Sequence, residues 1–260
     1  MKQNSNTTFS WLGILLVIWV ASNLRSPITA VGPILDEIKL AMNLDNIQAS
    51  LLTSIPLIVF ASCSILVSKA TARLNIRHGL IYALLFLIIG LYLRVYGNIT
   101  TLYIGSVLLG LSICIGNVLT PAYIKNEFPA KIGLMTGIFS VSMNLVAALA
   151  SGFSISIGKW TGMGWKGSLG IWIFVAIIAL IIVFAELFWG ANTASQQTKK
   201  EETIKFNIFK SKQAWNISLF MGLQSLIYYC LVAFLPSVLM EYGMSKSEAG
   251  WVFSILQLAM

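Results

Sequence analysis

The sequence predicts an integral membrane protein that is built as a bundle of α-helices. Hydrophobic residues make up 57% of the 260 residues and charged residues only 10%, whereas soluble domains carry roughly 25% charged residues. The apolar residues form long blocks between short polar joints, and a block of about 18 apolar residues is long enough to cross the hydrocarbon core as a helix. The sequence lacks the segments of alternating hydrophobicity, about ten residues long, that are typical of transmembrane barrels.

Seven blocks are long enough to be spans, and an eighth begins near residue 249. We predict the seven spans at residues 11–31, 48–70, 79–97, 101–124, 132–157, 167–190 and 214–240. The chain then divides into a six-span bundle over residues 1–190, a lysine-rich linker over 191–213, and the start of a second bundle over 214–260. The first block follows Lys2 as a signal peptide would, but further spans follow it, so we interpret it as an uncleaved span.

Lysine and arginine residues predict that the N-terminus is cytoplasmic, because short cytoplasmic loops carry an excess of these residues. In this orientation eleven basic residues lie inside and five outside. The inner ones are Lys2, Lys69, Arg73, Arg77, Lys125, Lys131, Lys199, Lys200, Lys205, Lys210 and Lys212, and the outer ones are Lys39, Arg94, Lys159, Lys166 and Lys246. The net charge of +8 is therefore explained by basic residues in the joints between spans, where the orientation rule for membrane proteins places them. We expect the lipid bilayer as a partner and no nucleic acid.

A weak internal repeat suggests that the chain contains the start of a second half. Residues 44–51 and 244–251 each follow an apolar stretch that holds a proline and a glutamate, at an offset of 200 residues. Membrane bundles assembled from similar halves show such weak internal symmetry. We therefore expect a complete protein of about 400 residues, of which this chain is a C-terminally truncated part.

The first and fourth spans share the pattern Asn-x-x-x-Pro, with Asn23 before Pro27 and Asn117 before Pro121. Proline cannot bond the carbonyl four residues earlier, so each pattern frees a backbone acceptor beside an amide side chain. The first and fourth spans of inverted three-helix repeats occupy equivalent positions, commonly beside a central cavity. We predict that both asparagines line this cavity. Alternatively, the prolines kink the helices for packing and the asparagines satisfy them.

Arg25 is the most informative single residue, because it lies about 14 residues into the first span and therefore past the midplane. An arginine at the helix centre costs roughly 2.5–3.5 kcal/mol on insertion scales, so it should face the bundle or a watery cavity. Its planar guanidinium suits a carboxylate or another planar anion. Snorkelling to the outer headgroups, or pairing with Asp36 or Glu37, is the alternative. Arg94 in the third span could likewise line the cavity or snorkel to the outer headgroups, and snorkelling is favoured because Arg94 lies nearer the interface.

Further polar residues of the spans are candidates for the same cavity or for hydrogen bonds between helices. They are Asn144, Gln224, Tyr228 and Tyr229. Small residues at four-residue spacing predict close helix packing. These pairs are Ser106 with Gly110, Ser112 with Gly116, Gly133 with Gly137, and Ala148 with Gly152.

Several activities are disfavoured by what the sequence lacks. It contains no phosphate-binding loop of the type that powers ATP-driven pumps. The cysteines Cys63, Cys114 and Cys230 lie inside apolar blocks without metal-ligand spacing. We could assemble no catalytic constellation, so we expect neither an enzyme nor a bound metal or cofactor.

A set of short motifs resembles the cyanate and nitroimidazole transporter branch of the major facilitator superfamily. The set covers most of residues 20–155. Its members are Asn23-Leu24-Arg25, Val31-Gly32-Pro33, the stretch 51–56, Gly90 with Arg94, Gly110 with Gly116-Asn117, the stretch 121–128, and Met135-Thr136-Gly137. The superfamily's usual Gly-x-x-x-Asp-Arg signature is degraded to residues 68–73, which contain no aspartate, and this puts the standard charge pairing of the inner gate in doubt.

The resemblance implies a fold of two six-helix bundles that rock around a midplane site in the plasma membrane. It implies secondary active or facilitative transport of a small polar or anionic solute, such as a cyanate-like anion or a small nitrogen-containing organic molecule, by alternating access. Arg25, Asn23 and Asn117 match its first- and fourth-span motifs and are the first candidates for solute contact. A non-transporting scaffold or sensor, with residues 191–213 as its interaction face, is the alternative function, and a channel is disfavoured because no filter motif is present.

The carboxylates leave the coupling ion undetermined. Asp36, Glu37 and Asp45 are predicted outside the membrane, and Glu186 lies near the inner end of the sixth span. Proton-coupled carriers usually need an acidic group within the membrane. Coupling would therefore use the second half, or the protein would be an exchanger or a facilitator. We expect that the 260-residue chain does not transport by itself.

Overall fold

The computed structural model describes residues 11–71, 75–189 and 211–259 of the chain. Within these ranges the regular structure is helical. The α-helices are α1 (Trp11–Thr29), α2 (Leu35–Met42), α3 (Asn46–Thr71), α4 (Ile76–Tyr96), α5 (Ile99–Glu127), α6 (Ile132–Trp160), α7 (Trp165–Trp189), α8 (Lys212–Glu241) and α9 (Lys246–Ala259). Short 3₁₀ turns at Gly32–Ile34 and Pro129–Lys131 precede α2 and α6.

Six helical segments are long and apolar enough to cross a membrane, which confirms the six predicted spans of the first bundle. The seventh, α8, meets the same criterion only as two segments, Lys212–Leu231 and Phe234–Glu241, which are bent by 41°. Pro236 accounts for this bend because it removes the hydrogen bond to the carbonyl four residues earlier. The linker at 191–210 and the side chains of residues 68–74 lie outside the described part of the chain.

Helix α1 occupies the centre of the first bundle. Its span is 78% buried, whereas the spans that contain α6 and α7 are 22% and 28% buried. It packs against α5, α6 and α7, while α4 packs against α5 and α7, and α3 against α5. The side chains of α1 therefore face protein on nearly all sides. A polar residue on α1 consequently meets other helices before it meets lipid.

The two Asn-x-x-x-Pro patterns lie inside unbroken helices. Helices α1 and α5 continue through Pro27 and Pro121 without a break. The break in the first span comes later, where α1 ends at Thr29 and the chain passes through the 3₁₀ turn into α2. This turn contains Pro33, and Pro is well tolerated at the start of a helical turn because its missing N–H needs no partner there.

Three of the four predicted small-residue pairs lie at close helix contacts. A Cβ on Gly110 would lie 2.7 Å from the Pro56 carbonyl oxygen of α3, a Cβ on Gly116 would collide with Leu24 of α1, and a Cβ on Gly152 would lie 2.6 Å from the Ser254 hydroxyl of α9. The prediction was wrong for the pair Gly133 and Gly137. No described atom lies within 4 Å of a Cβ built on either of them.

Helices α8 and α9 meet the first bundle at the end where α1 terminates, which we call the Thr29 end; the opposite end is the Trp11 end. Trp251 packs edge-on against Phe153 with ring centroids 4.9 Å apart. The Ser254 hydroxyl donates to the Ala148 carbonyl at 2.7 Å. By contrast, residues 215–227 of α8 are exposed. The two units are thus joined near the Thr29 end.

Candidate functional site

Arg25 makes its polar contacts inside the protein. Its Nη1 donates to the Asn144 Oδ1 of α6 at 2.6 Å. Its guanidinium carbon lies 4.4 Å from the ring centroid of Tyr228 on α8. The side chain is half-buried. The predicted inward orientation is therefore observed, and the alternatives of snorkelling or of pairing with Asp36 or Glu37 are wrong.

The α1–α6 contact explains why Asn144 faces Arg25. The Thr29 hydroxyl donates to the Ala147 carbonyl at 3.1 Å, and the Ser154 hydroxyl donates to the Ala30 carbonyl at 2.7 Å. These hydrogen bonds fix the register of the two helices about one and three turns away from Asn144. Small side chains on α6 let the backbones approach closely enough for side chain–backbone bonds of this kind.

Two tyrosines of α8 complete the site. Tyr228 is 5% exposed, and its ring packs edge-on against Tyr229 with centroids 5.1 Å apart. Both tyrosines lie close enough to Arg25 to interact with it electrostatically. We call Arg25, Asn144, Tyr228 and Tyr229 the Arg25 cluster. It combines a cation, an amide and two phenols from α1, α6 and α8.

The charge of Arg25 is not paired with a carboxylate in the described part of the chain, because none lies within ion-pair distance of its guanidinium. An amide oxygen and an aromatic face stabilise a cation, but they leave its net charge in place. Inside a membrane protein such a charge is costly and commonly marks a solute or ion pathway. The Arg25 cluster is chemically suited to a small planar anion or to a molecule with paired acceptor oxygens.

A cavity of about 620 Å³ adjoins the cluster at the Thr29 end. This volume is within the range of small-molecule pockets. Tyr229 belongs to both the cavity wall and the Arg25 cluster. The other polar side chains of the wall come from α2, α3 and α8, and they include Asp36, Lys39, Asn46, Ser50 and Thr53. A small solute in this cavity would lie next to the cluster.

Asn23 and Asn117 make their hydrogen bonds with backbone carbonyls and not with Arg25. The Asn23 amide donates to the carbonyls of Trp19 at 2.8 Å and of Val175 at 3.4 Å, and the residue is 1% exposed. The Asn117 amide donates to the Ile113 carbonyl at 2.9 Å and is half-buried. Each amide thus bonds a carbonyl one turn earlier in its own helix, and neither bonds the carbonyl freed by proline.

The remaining predicted residues form no hydrogen bond with the cluster in the part of the chain that the structure describes. Arg94 is 1% exposed, and its Nη1 donates to the Pro27 carbonyl at 3.3 Å, so snorkelling to the headgroups is wrong. Gln224 lies on the exposed part of α8. Of the predicted set, the structure therefore brings together Arg25, Asn144 and Tyr228, with Tyr229 beside them.

Sequence reasoning missed a second polar cluster at the Trp11 end. The Nη2 of Arg77, in the first turn of α4, lies 3.0 Å from the Oε1 of Glu127 and 3.4 Å from the Oε1 of Glu186. The Tyr123 hydroxyl donates to the same Glu186 oxygen at 2.9 Å. The sequence analysis counts Arg77 only as one of the basic residues on the inner side. The sequence did contain a signal for this cluster. Arg77 and the two glutamates, which have opposite charges, lie near span ends that are predicted on the same side of the membrane.

Comparisons with known proteins agree with this architecture. The sequence profile of the Major Facilitator Superfamily matches residues 11–260. The uncharacterised transporter YycB of Bacillus subtilis is 39% identical over 96% of the chain, and a 2-nitroimidazole transporter of Escherichia coli is 33% identical over 94%. The cyanate transport protein CynX of Escherichia coli is 25% identical over 94% of the chain. These relatives confirm the resemblance to the cyanate and nitroimidazole branch.

The chain spans 61–63% of the length of these relatives. Among solved structures, a bacterial homologue of the lysosomal transporter Spinster, in an inward-facing and unoccupied conformation, matches 99% of the chain with a TM-score of 0.73 at 16% identity. The match covers 60% of that structure. This likeness supports the fold, and the predicted major-facilitator architecture is confirmed.

Proposed function

The chain belongs to the Major Facilitator Superfamily, and we propose that it supplies the cationic part of the solute site in a transporter for small anions or small nitrogen-containing organic molecules. The charge of Arg25, which no described carboxylate pairs and which is held between the first bundle and α8, carries this proposal. A solute at this position would touch both units that must move relative to each other. Such a contact is what alternating access requires of a solute site.

The chemistry of the cluster supports a planar solute. A guanidinium presents parallel N–H donors that match two oxygens of a nitro or carboxylate group, and it also attracts a single anion. The neighbouring tyrosines offer aromatic faces for stacking and hydroxyls for hydrogen bonds. 2-Nitroimidazole, named for one relative, is planar with paired nitro oxygens, whereas cyanate, named for another, is a small linear anion that the positive charge would attract.

Solute binding would change the contacts between the units. In the present arrangement Arg25 is satisfied by Asn144 of the first bundle and by Tyr228 of α8. An anion that binds the guanidinium competes with the amide oxygen and the aromatic ring for the same cation. It therefore shifts the balance between arrangements by its differential affinity for them.

We place the Trp11 end in the cytoplasm and the protein in the plasma membrane, with the coupling ion unassigned.

The test is solute affinity in the full-length protein after Arg25→Gln substitution. We expect the KM for 2-nitroimidazole and for cyanate uptake into proteoliposomes to rise about tenfold or more, because a hydrogen bond to a charged group is worth roughly 1.5–3 kcal/mol. Arg25→Lys should retain part of the affinity for cyanate, since it keeps the charge but loses the paired donors.

Lys125→Gln is the matched control, because it removes an exposed cation from the last turn of α5, away from the cavity and from the Arg25 cluster. An unchanged KM in Arg25→Gln would contradict the proposal. If the unsubstituted protein neither binds nor moves either solute, the alternative of a scaffold or sensor gains support.

A further inference from the structure

Arg94 is a buried cation that the proposed solute site does not use. It lies within the first bundle and is 1% exposed. In the part of the chain that the structure describes, its Nη1 donates to the Pro27 carbonyl, and its Nε and Nη2 have no hydrogen-bond partner. No carboxylate of the described ranges pairs with it either. Burial of such a charge costs several kcal/mol, so its one contact calls for an explanation.

The Pro27 carbonyl lacks a backbone donor because of how α1 ends. The N–H of Val31, which would reach this carbonyl in a continuing α-helix, instead bonds the Ile28 carbonyl at 3.2 Å. The N–H of Ala30 bonds the Ser26 carbonyl at 3.0 Å. The last carbonyls of a helix also carry partial negative charge, which a cation stabilises. Arg94 therefore supplies the missing donor and a positive charge to the last turn of α1.

The path of Arg94 towards α1 depends on a close contact between α4 and α5. A Cβ on Gly105 would lie 2.5 Å from the Gly90 carbonyl oxygen and 2.8 Å from the Cγ of Arg94. A Cβ on Gly90 would meet the Gly105 carbonyl oxygen at 2.8 Å, with Leu108 and Leu109 as its other nearest neighbours. Both glycines set the helix spacing, but only Gly105 leaves space for the Arg94 side chain.

We propose that Arg94 is a positioning residue for Arg25. It holds the last turn of α1 from the α4 side, two residues beyond Arg25, while α6 holds the same turn through Thr29 and Ala30. The two attachments together fix where the Arg25 guanidinium lies relative to Asn144. This inference rests on the proposed role of Arg25 in solute binding.

The test is a double-mutant cycle on the affinity of the full-length protein for 2-nitroimidazole and cyanate. We expect Arg94→Met to raise the KM about tenfold with a smaller change in kcat, the loss expected for one charge-assisted hydrogen bond. In the Arg25→Gln background the same substitution should have little further effect, because residues that act through one another are non-additive. Arg77→Met, which disrupts the separate cluster at the Trp11 end, should add its effect to that of Arg25→Gln.

A pair of glycine variants tests the geometry without removing the charge. Gly105→Ala should reproduce the affinity loss of Arg94→Met, whereas Gly90→Ala perturbs the same helix contact and should leave the solute affinity closer to that of the unsubstituted protein. This pair also serves if Arg94→Met does not fold.

The outcomes separate this inference from the proposed function. Equal affinity losses from Arg94→Met in both backgrounds, or equal effects of the two glycine variants, would overturn the positioning role while leaving the Arg25 site intact. An Arg25→Gln variant with unchanged affinity would instead refute the solute site itself, and the positioning role with it.

Discussion

The buried ion cluster at the Trp11 end should dominate the stability of the first bundle. Arg77 serves two carboxylates, and the exposed fractions of the three side chains are 9% for Arg77, 13% for Glu127 and 1% for Glu186. Glu186 also accepts from the Tyr123 hydroxyl, while its Oε2 is buried without a partner among the described residues. The contacts tie α4, α5 and α7 together at one end of the bundle.

The three charged residues should differ in the cost of their removal. Arg77→Met leaves a fully buried carboxylate without its cation, and breaking a buried ion pair in this way costs about 3–5 kcal/mol. Glu186→Gln leaves Arg77 paired with Glu127 and keeps an oxygen that accepts from Tyr123, so a loss of about 1–2 kcal/mol is expected. Glu127→Gln should cost least, because Glu127 is the most exposed of the three.

A double variant provides the sharpest check. Arg77→Met together with Glu186→Leu removes the stranded carboxylate as well as the cation, and apolar replacement of a buried pair is often close to neutral. The double variant should therefore be more stable than Arg77→Met alone. The measurement is the free energy of unfolding, obtained by titrating the protein in mild detergent with a denaturing one.

The reasoning fails if the double variant is less stable than Arg77→Met, or if Glu127→Gln costs as much as Arg77→Met. The first result would mean that Glu186 does not depend on Arg77 in the folded state, and the second that Glu127, despite its greater exposure, is the main partner of Arg77. The electrostatic account of this end of the bundle would then have to be abandoned.

Two further predictions concern packing and exposure. Gly110→Ala should lower the free energy of unfolding by about 1–3 kcal/mol, because its Cβ would press on the backbone of Pro56. Gly137→Ala meets open space and should be neutral or stabilising by up to about 1 kcal/mol. A larger loss for Gly137→Ala than for Gly110→Ala in the same assay would contradict this. Cys230 is exposed and Cys114 is buried, so mass spectrometry should show a small thiol reagent modifying Cys230 in the folded protein and Cys114 only after unfolding; the reverse order would refute the assigned burial.

The spans could be predicted from the sequence because the bilayer leaves few options. Backbone groups in hydrocarbon must bond within the segment, so a long apolar block is a helix. The ends were less predictable. The first span was expected to reach residue 31, but α1 ends at Thr29, where Gly32 and Pro33 start a 3₁₀ turn. Local turn chemistry sets such an end, and hydropathy does not report it.

The partners of the polar residues were only partly predictable. The spans are apolar on nearly all sides, so their periodicity does not show which face points inward. The inward orientation of Arg25 followed from the free-energy cost of exposing an arginine to lipid. Its bond to Asn144 could not be predicted in the same way, because it joins residues 119 positions apart. Likewise, nothing in the composition of α4 indicated that Arg94 would bond a backbone carbonyl of α1 instead of reaching the interface.

The three arginines that contact partners inside the described bundle are satisfied in chemically different ways, and the difference bears on function. Arg77 has two carboxylates, which already exceed its charge, so a solute anion would be repelled there. Arg94 bonds a backbone carbonyl at a helix end, is fully buried, and is closed to solutes in this arrangement. Arg25 is bonded to a neutral amide and lies over an aromatic ring next to a cavity. It alone among the three combines an unpaired positive charge, among the described residues, with a neighbouring cavity, and this combination is the reason why we propose Arg25, and not Arg77 or Arg94, as the binding cation.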